Sequence, residues 1–160
     1  MNSLNIDDFE IRTLEDEIRA DQECPDLLRA LFEHLITHEQ LQPEEAGTLC
    51  AGADHFLREF VIPDCRENLF RINPERVRQF AGNWYIVKTL EPNMVELERI
   101  LGGIDAFYRF AGTTGLVSCE LIEKVSEHCR ELDFYRQRIE DFWALTENGY
   151  HRWLRQCPLG

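Results

Sequence analysis

The sequence lacks most of the short motifs that carry chemistry. No two of its six cysteines (Cys24, Cys50, Cys65, Cys119, Cys129, Cys157) stand as C-x-x-C, and no C-x-x-C-H for haem attachment occurs. No apolar run approaches the ~20 residues that a membrane span needs. The opening "MNSLNIDDFEIRTLEDE" is acidic and has no apolar stretch of signal-peptide length. The phosphate-cradling patterns G-x-x-x-x-G-K-[ST] and G-x-G-x-x-G are missing, as is the nucleophile elbow G-x-S-x-G. There is no alternating run rich in Val, Ile and Thr, and no internal repeat. These absences lead to a set of expectations: a cytoplasmic chain with free thiols, no membrane, no cofactor, no metal centre, and no enzymatic activity.

What is present is a globular balance. The chain has 160 residues, of which 44% are hydrophobic and 29% charged, enough for one domain that buries roughly two-thirds of its unfolded surface. The formal net charge is −13, a field that repels phosphate polyanions and anionic membranes. The charge is uneven. Residues 1–60 carry 4 Lys and Arg against 15 Asp and Glu, whereas residues 61–160 carry 13 against 15. A nucleic-acid role is therefore confined to the second part.

Apolar residues recur at three- and four-residue steps almost throughout. A short helix is read through Phe9, Leu14 and Ile18. A second opens at Cys24-Pro25-Asp26 and carries Leu27, Leu28, Leu31, Phe32, Leu35 and Ile36 until Pro43 interrupts it. Glu44 to about Cys65 forms the next, with Leu49, Ala53, Phe56, Leu57, Phe60 and Val61 on one side and Pro63 in its last turn. Asn73-Pro74 starts a helix whose stripe is Val77, Phe80, Ala81, Trp84 and Val87. Asn93 and Glu96 match a capping box. The helix they open lines up Leu97, Ile100, Leu101, Ile104, Phe107, Tyr108 and Ala111, and it stops at Gly112. Gly102-Gly103 in its middle gives up roughly 2 kcal/mol of helix propensity against two alanines, which makes sense if another backbone packs closely there. Ser118 caps a helix through Leu121, Ile122 and Val125. A last segment contains Phe134, Ile139, Phe142, Trp143 and Leu145, and "YHRWLRQCPLG" follows as a tail. The expected class is all-α, a bundle of six to seven helices. Its organisation is an acidic helical segment over 1–45, a helical core over 46–131, and a C-terminal helix and tail over 132–160 packing on the same domain.

The stretch "NPERVRQFAGNWYIVKTLEPN" is locally basic and aromatic. Phe80 and Trp84 fall on the apolar stripe and read as core. The basic residues lie off it. Arg66, Arg71, Arg76, Arg78 and Lys88 stand among only two acids, Glu67 and Glu75. They make a solvated face paired with nearby acids, a phosphate-contacting patch, or a dock for the acidic first third or for an acidic partner. The acidic first third is in turn a solubilising face, a surface for a basic protein, or a cover for the basic stretch.

"ADHFLREFV", "NPERVRQFAGNWYI" and "EPNMVELERILGGIDAFYRFAGTTGLVS" occur in that order. In this order the chain resembles the SAM-like N-terminal core-binding domain of tyrosine recombinases and phage integrases, over about residues 46–131. The resemblance implies a small helical bundle that clamps DNA, and a separate catalytic domain. Residues 132–160 are too few for that domain, and His151-Arg152-Trp153-Leu154-Arg155 does not reproduce the family's catalytic His-x-x-Arg. Recombination by this chain alone is not expected.

Other candidates are weaker. His34 and His38 lie four apart, a spacing that can hold a metal on one helix face, with Glu33 and Glu39 nearby in sequence; both also border the apolar stripe. His128-Cys129 has no partner at a recognised ligand spacing, and any Cys–His nucleophile pair would have to form in space. Trp143, Tyr150 and Trp153 near the C-terminus have the side-chain type that anchors interfaces. The leading expectation is a non-enzymatic helical module that binds a protein partner or another copy of itself. The alternative is a DNA-binding accessory that uses Arg66, Arg71, Arg76, Arg78 and Lys88.

Overall fold

The structure, a computed structural model, describes residues 4–160, and every regular element among them is helical. A 3-10 turn at Ile6–Phe9 precedes α1 (Leu14–Thr37). α2 (Pro43–Asp54) continues without a break into a π-helical stretch, His55–Cys65. α3 (Glu75–Gln79) likewise runs through a π segment, Phe80–Trp84, into α4 (Tyr85–Lys88). α5 (Met94–Thr113), α6 (Cys119–Cys129), α7 (Leu132–Trp143) and α8 (Tyr150–Arg155) complete the chain. With continuous rods merged, these are seven helices. No described helix is long and apolar enough to cross a membrane.

α1 starts earlier than the sequence pattern suggests. Thr13 accepts from Asp16 N, and the Asp16 carboxylate reaches back to Thr13 N, a complete capping box. The helix then runs straight through Pro25, which lies on the exposed side, where water reaches the carbonyl that loses its donor. Phe9 is core, but Leu14 and Ile18 are not. At 100° per residue they centre roughly 120° away from Ala20, Cys24, Leu27, Leu31 and Leu35, and they are 61% and 48% exposed.

α5 packs on α2 at backbone contact. A Cβ at Gly103 would sit 2.2 Å from Leu49 O and 2.8 Å from Ala53 N; one at Gly52 would sit 2.8 Å from Ile100 Cα. This close approach is what the Gly102-Gly103 pair makes room for. Arg58 ties the same layer to α1, gripping Asp21 through Nε (2.9 Å) and Nη2 (3.2 Å) and reaching Asp54 at 3.3 Å.

The two π segments meet through an aromatic cluster. Phe80 lies 5.3 Å from Phe56, 5.6 Å from Phe60 and 5.5 Å from Trp84, and Trp84 Nε1 donates to Asp64 at 2.6 Å. The wider π turn also shifts the helical register. Beyond Trp84 the buried residues are Tyr85 and Ile86, whereas Val87, expected on the stripe, is part-exposed. The box at Asn93 is altered in the same region. Asn93 still caps Glu96 N at 2.8 Å, but the Glu96 carboxylate accepts from the Tyr85 hydroxyl, which itself accepts from Asn93 N. One core cluster joins Phe9 and Leu27 to Phe107 and to Tyr135, Ile139 and Trp153.

Candidate functional site

Four of the five basic residues of the central stretch face carboxylates. Arg66 faces Glu17 at 3.5 Å, and Arg71 faces Glu10 at 3.2 Å and Asp7 at 3.8 Å. Arg76 binds Glu67 at 2.6 Å, and Arg78 faces Glu131 at 3.5 Å. Lys88 is exposed and meets no carboxylate among the described residues. Two of the four paired arginines are thus matched by the acidic N-terminal segment. Asn68, buried, anchors that segment by donating to Ile6 O and to Glu10 at 2.9 Å each. The Asn68 hydrogen bond and the Arg71 charge together hold the Glu10 carboxyl below its ordinary pKa. Surface ion pairs of this kind are worth about 0–1 kcal/mol each. A phosphate arriving at these arginines would nevertheless meet a carboxylate beside each of them.

The C-terminal segment straps across α3 and its π extension. Asn83 Nδ2 donates to Cys157 O at 2.7 Å, the Cys157 thiol to Arg78 O at 3.5 Å, and Arg76 Nη1 to Leu159 O at 3.0 Å. A cleft of about 220 Å3 lies along the strap, with Arg78 and Gln79 on one wall, Gln156 to Pro158 on the other, and Glu75 at its edge.

Beneath the strap sits Arg138, only 3% exposed. It lies on the Tyr135–Ile139–Phe142 stripe of α7, three residues after Tyr135 and four before Phe142. Its Nε donates to Gly82 O at 2.8 Å, its Nη1 to Gln156 Oε1 at 3.3 Å, and its guanidinium lies 3.9 Å from the Trp153 ring centroid. Nη2 has no partner and no carboxylate pairs with the group, so burial draws its pKa below the ordinary arginine value. Trp153 closes the lock by donating its indole N–H to Arg138 O at 2.9 Å. Trp153 is therefore not an interface residue: it is 2% exposed, because the tail folds into α8 and turns this ring inward.

The other two C-terminal aromatics are at the surface. Trp143 is 60% exposed at the end of α7, and Tyr150 is 38% exposed at the start of α8. A run of rings joins them: Trp143 to Phe142 (6.2 Å), Phe142 to Trp153 (5.1 Å) and Trp153 to Tyr150 (6.3 Å). Arg152 and Arg155 are exposed on α8 and meet no carboxylate among the described residues. Residues 148–160 contain no acid at all.

His34 and His38 lie with their rings tilted against each other at 5.0 Å, and His34 lies 5.1 Å from Phe110. No group of three or more His, Cys, Asp or Glu suited to a metal occurs among the described residues. His128 instead bridges Glu131 and Glu75. All six thiols are free, and only Cys119 is exposed. Burial pushes the Cys24 and Cys65 thiols up to about 12 and Cys50 up to about 11, and it raises Cys129 and Cys157 as well. A thiol-reactive disulfide reagent at neutral pH is accordingly expected to label one cysteine fast and five slowly, with Cys119→Ser abolishing the fast phase; a second fast site would contradict the packing.

No family model, no curated protein and no solved structure matches this chain.

Proposed function

We propose that this chain is a non-enzymatic helical binding module that engages protein through its C-terminal elbow, the corner formed by α7 and α8. The observation that carries this reading is Trp143, a large aromatic 60% exposed at that corner. Tyr150 and two arginines free of carboxylate partners accompany it. Tryptophan, tyrosine and arginine dominate the binding energy of protein interfaces, and Trp153, covered by Arg138, packs behind Tyr150.

The DNA-binding alternative draws on the resemblance to recombinase core-binding domains and on the basic stretch. It has less support, since Arg66, Arg71, Arg76 and Arg78 each have a carboxylate within 4 Å and the whole chain carries −13. Gains from counterion release require cations that are free to neutralise phosphates.

The test compares wild type with Trp143→Ala, a surface change expected to leave helical circular dichroism unaltered. The wild type is expected to self-associate or to capture a defined protein from extract, and the variant to lose that contact by about tenfold or more. Equal binding by both, or a wild type that stays monomeric and captures nothing, overturns the proposal. In a gel shift at low salt the chain is expected to leave duplex DNA unshifted. A shift removed by Arg76→Glu with Arg78→Glu would favour the alternative instead.

A further inference from the structure

The turn between α7 and α8 reads Thr146-Glu147-Asn148-Gly149 and holds the one Asn-Gly pair of the sequence. Thr146, Glu147 and Asn148 are all exposed. Among the described residues the Asn148 side chain makes no hydrogen bond, unlike the other asparagines. Asn5, Asn73 and Asn93 accept from main-chain N–H groups at helix starts, and Asn68 and Asn83 are buried and donate to carbonyls. Those five also have different followers: Ile6, Leu69, Trp84 and Met94 crowd the next main-chain nitrogen with a side chain, and Pro74 leaves it without a hydrogen. Gly149 does neither. Its N–H donates to Thr146 O at 3.0 Å, and its carbonyl receives the Trp153 N–H, also at 3.0 Å, in the first turn of α8.

We infer that Asn148-Gly149 is a self-modification site, where the chain deamidates and the isoaspartate that forms loosens α8. The Gly149 nitrogen attacks Asn148 Cγ and forms a new C–N bond. Its proton passes to the side-chain amide nitrogen, which leaves as ammonia, and a cyclic imide remains. Water then adds to the imide. Opening at the Cγ–N bond gives aspartate on an unchanged main chain. Opening at the bond between the main-chain carbonyl carbon and nitrogen gives isoaspartate, with the chain now running through Cβ and Cγ. Water is consumed, ammonia is released, and nothing is oxidised or reduced. The attack requires the Gly149–Thr146 hydrogen bond to open, and that bond closes an exposed turn, the kind of backbone contact that opens locally at small cost. Isoaspartate adds a carbon to the main chain directly before Gly149, whose carbonyl accepts the first-turn bond from Trp153 N. The inference does not depend on what the elbow binds.

The test incubates the full folded chain for weeks at mildly alkaline pH and maps it by peptide mass spectrometry, with aspartate and isoaspartate products separated by chromatography. The peptide carrying residue 148 is expected to convert before any other asparagine. Asn148→Gln, whose longer side chain closes the ring poorly, is expected to lose the conversion. Gly149→Ala is expected to slow it several-fold; the added methyl would lie 3.1 Å from Leu145 Cδ2, a side-chain tip that can shift, so this variant folds. Hydrogen exchange over α8 is then compared between the isolated isoaspartate form, the unconverted chain and Asn148→Asp, which carries the new charge without the added carbon. The isoaspartate form is expected to exchange faster, and Asn148→Asp to match the unconverted chain. A wild type intact at residue 148 after other asparagines have converted overturns the inference, as does a Gly149→Ala chain that converts as fast as wild type. Unchanged exchange over α8 in the isoaspartate form overturns the claim that the modification loosens this helix.

Discussion

Replacing Gly103 by alanine should destabilise the fold by about 3 kcal/mol, while the same change one residue earlier should cost almost nothing. The added methyl at Gly103 would have to occupy space 2.2 Å from Leu49 O, 2.8 Å from Ala53 N and 3.1 Å from Gly52 Cα. All three are backbone atoms of α2, so no rotamer change relieves the clash. α2 and α5 must separate, and the apolar contacts along both helices, from Ala53 to Ile104, loosen together. At Gly102 the new methyl meets only Leu49 Cδ2, at 3.2 Å. That side-chain tip can shift, and alanine adds up to about 1 kcal/mol of helix propensity. Gly47→Ala, with nothing within 4 Å, should stabilise by about 0.5–1 kcal/mol. For a chain of this length 3 kcal/mol lowers the melting temperature by roughly 6–12 °C. Thermal unfolding of the three variants checks the order. A Gly103→Ala protein as stable as Gly102→Ala would mean that the two helices do not touch at backbone distance.

The second large effect is expected at Arg138. Arg138→Ala should cost about 3 kcal/mol, because it leaves a cavity beneath Trp153 and takes donors away from Gly82 O and Gln156. Arg138→Met should behave differently. The guanidinium is desolvated, lacks any carboxylate, and leaves Nη2 without a partner. Burying a charge on those terms is unfavourable, and an apolar chain of similar volume often matches or exceeds it. Methionine is therefore expected within about 1.5 kcal/mol of wild type. Arg138→Glu should fail to fold, since it turns a carboxylate toward Gly82 O. Denaturant titration separates these outcomes. If methionine proves as costly as alanine, the hydrogen bonds, and not the packing, hold the C-terminal strap.

The all-helical class was legible because apolar spacing is set by burial, and α5 shows it best. Every residue read onto its stripe, from Leu97 to Ala111, is buried, and the Gly102-Gly103 pair marks the backbone contact. Where the reading failed, the helix departed from 3.6 residues per turn or a polar residue was buried. The π turn at Phe80–Trp84 rotated Val87 out and brought Ile86 in; nothing in residue identity signals a π turn. Pro25 was read as a helix start, yet proline is tolerated where its missing bond faces water. The Thr13-x-x-Asp16 pattern held the true start and was readable. So was Arg138, whose position between Tyr135 and Phe142 on an apolar stripe should have marked it as a buried charge. The candidate interface was partly visible. Trp143 and Tyr150 lie at the surface, but Trp153 could not be told from them, because inward and outward aromatics on a six-residue helix share the same spacing pattern. The pairing of Arg66 and Arg71 with Glu17 and Glu10 is a long-range contact, which local sequence does not encode.

Hydrogen exchange across the whole chain, measured dilute and then concentrated or with a captured partner, shows directly which surface a protein contact covers. The elbow account predicts that amides of residues 143–155 gain protection while those of residues 66–88 do not change. Protection gained over 66–88, with the elbow unaltered, would contradict it.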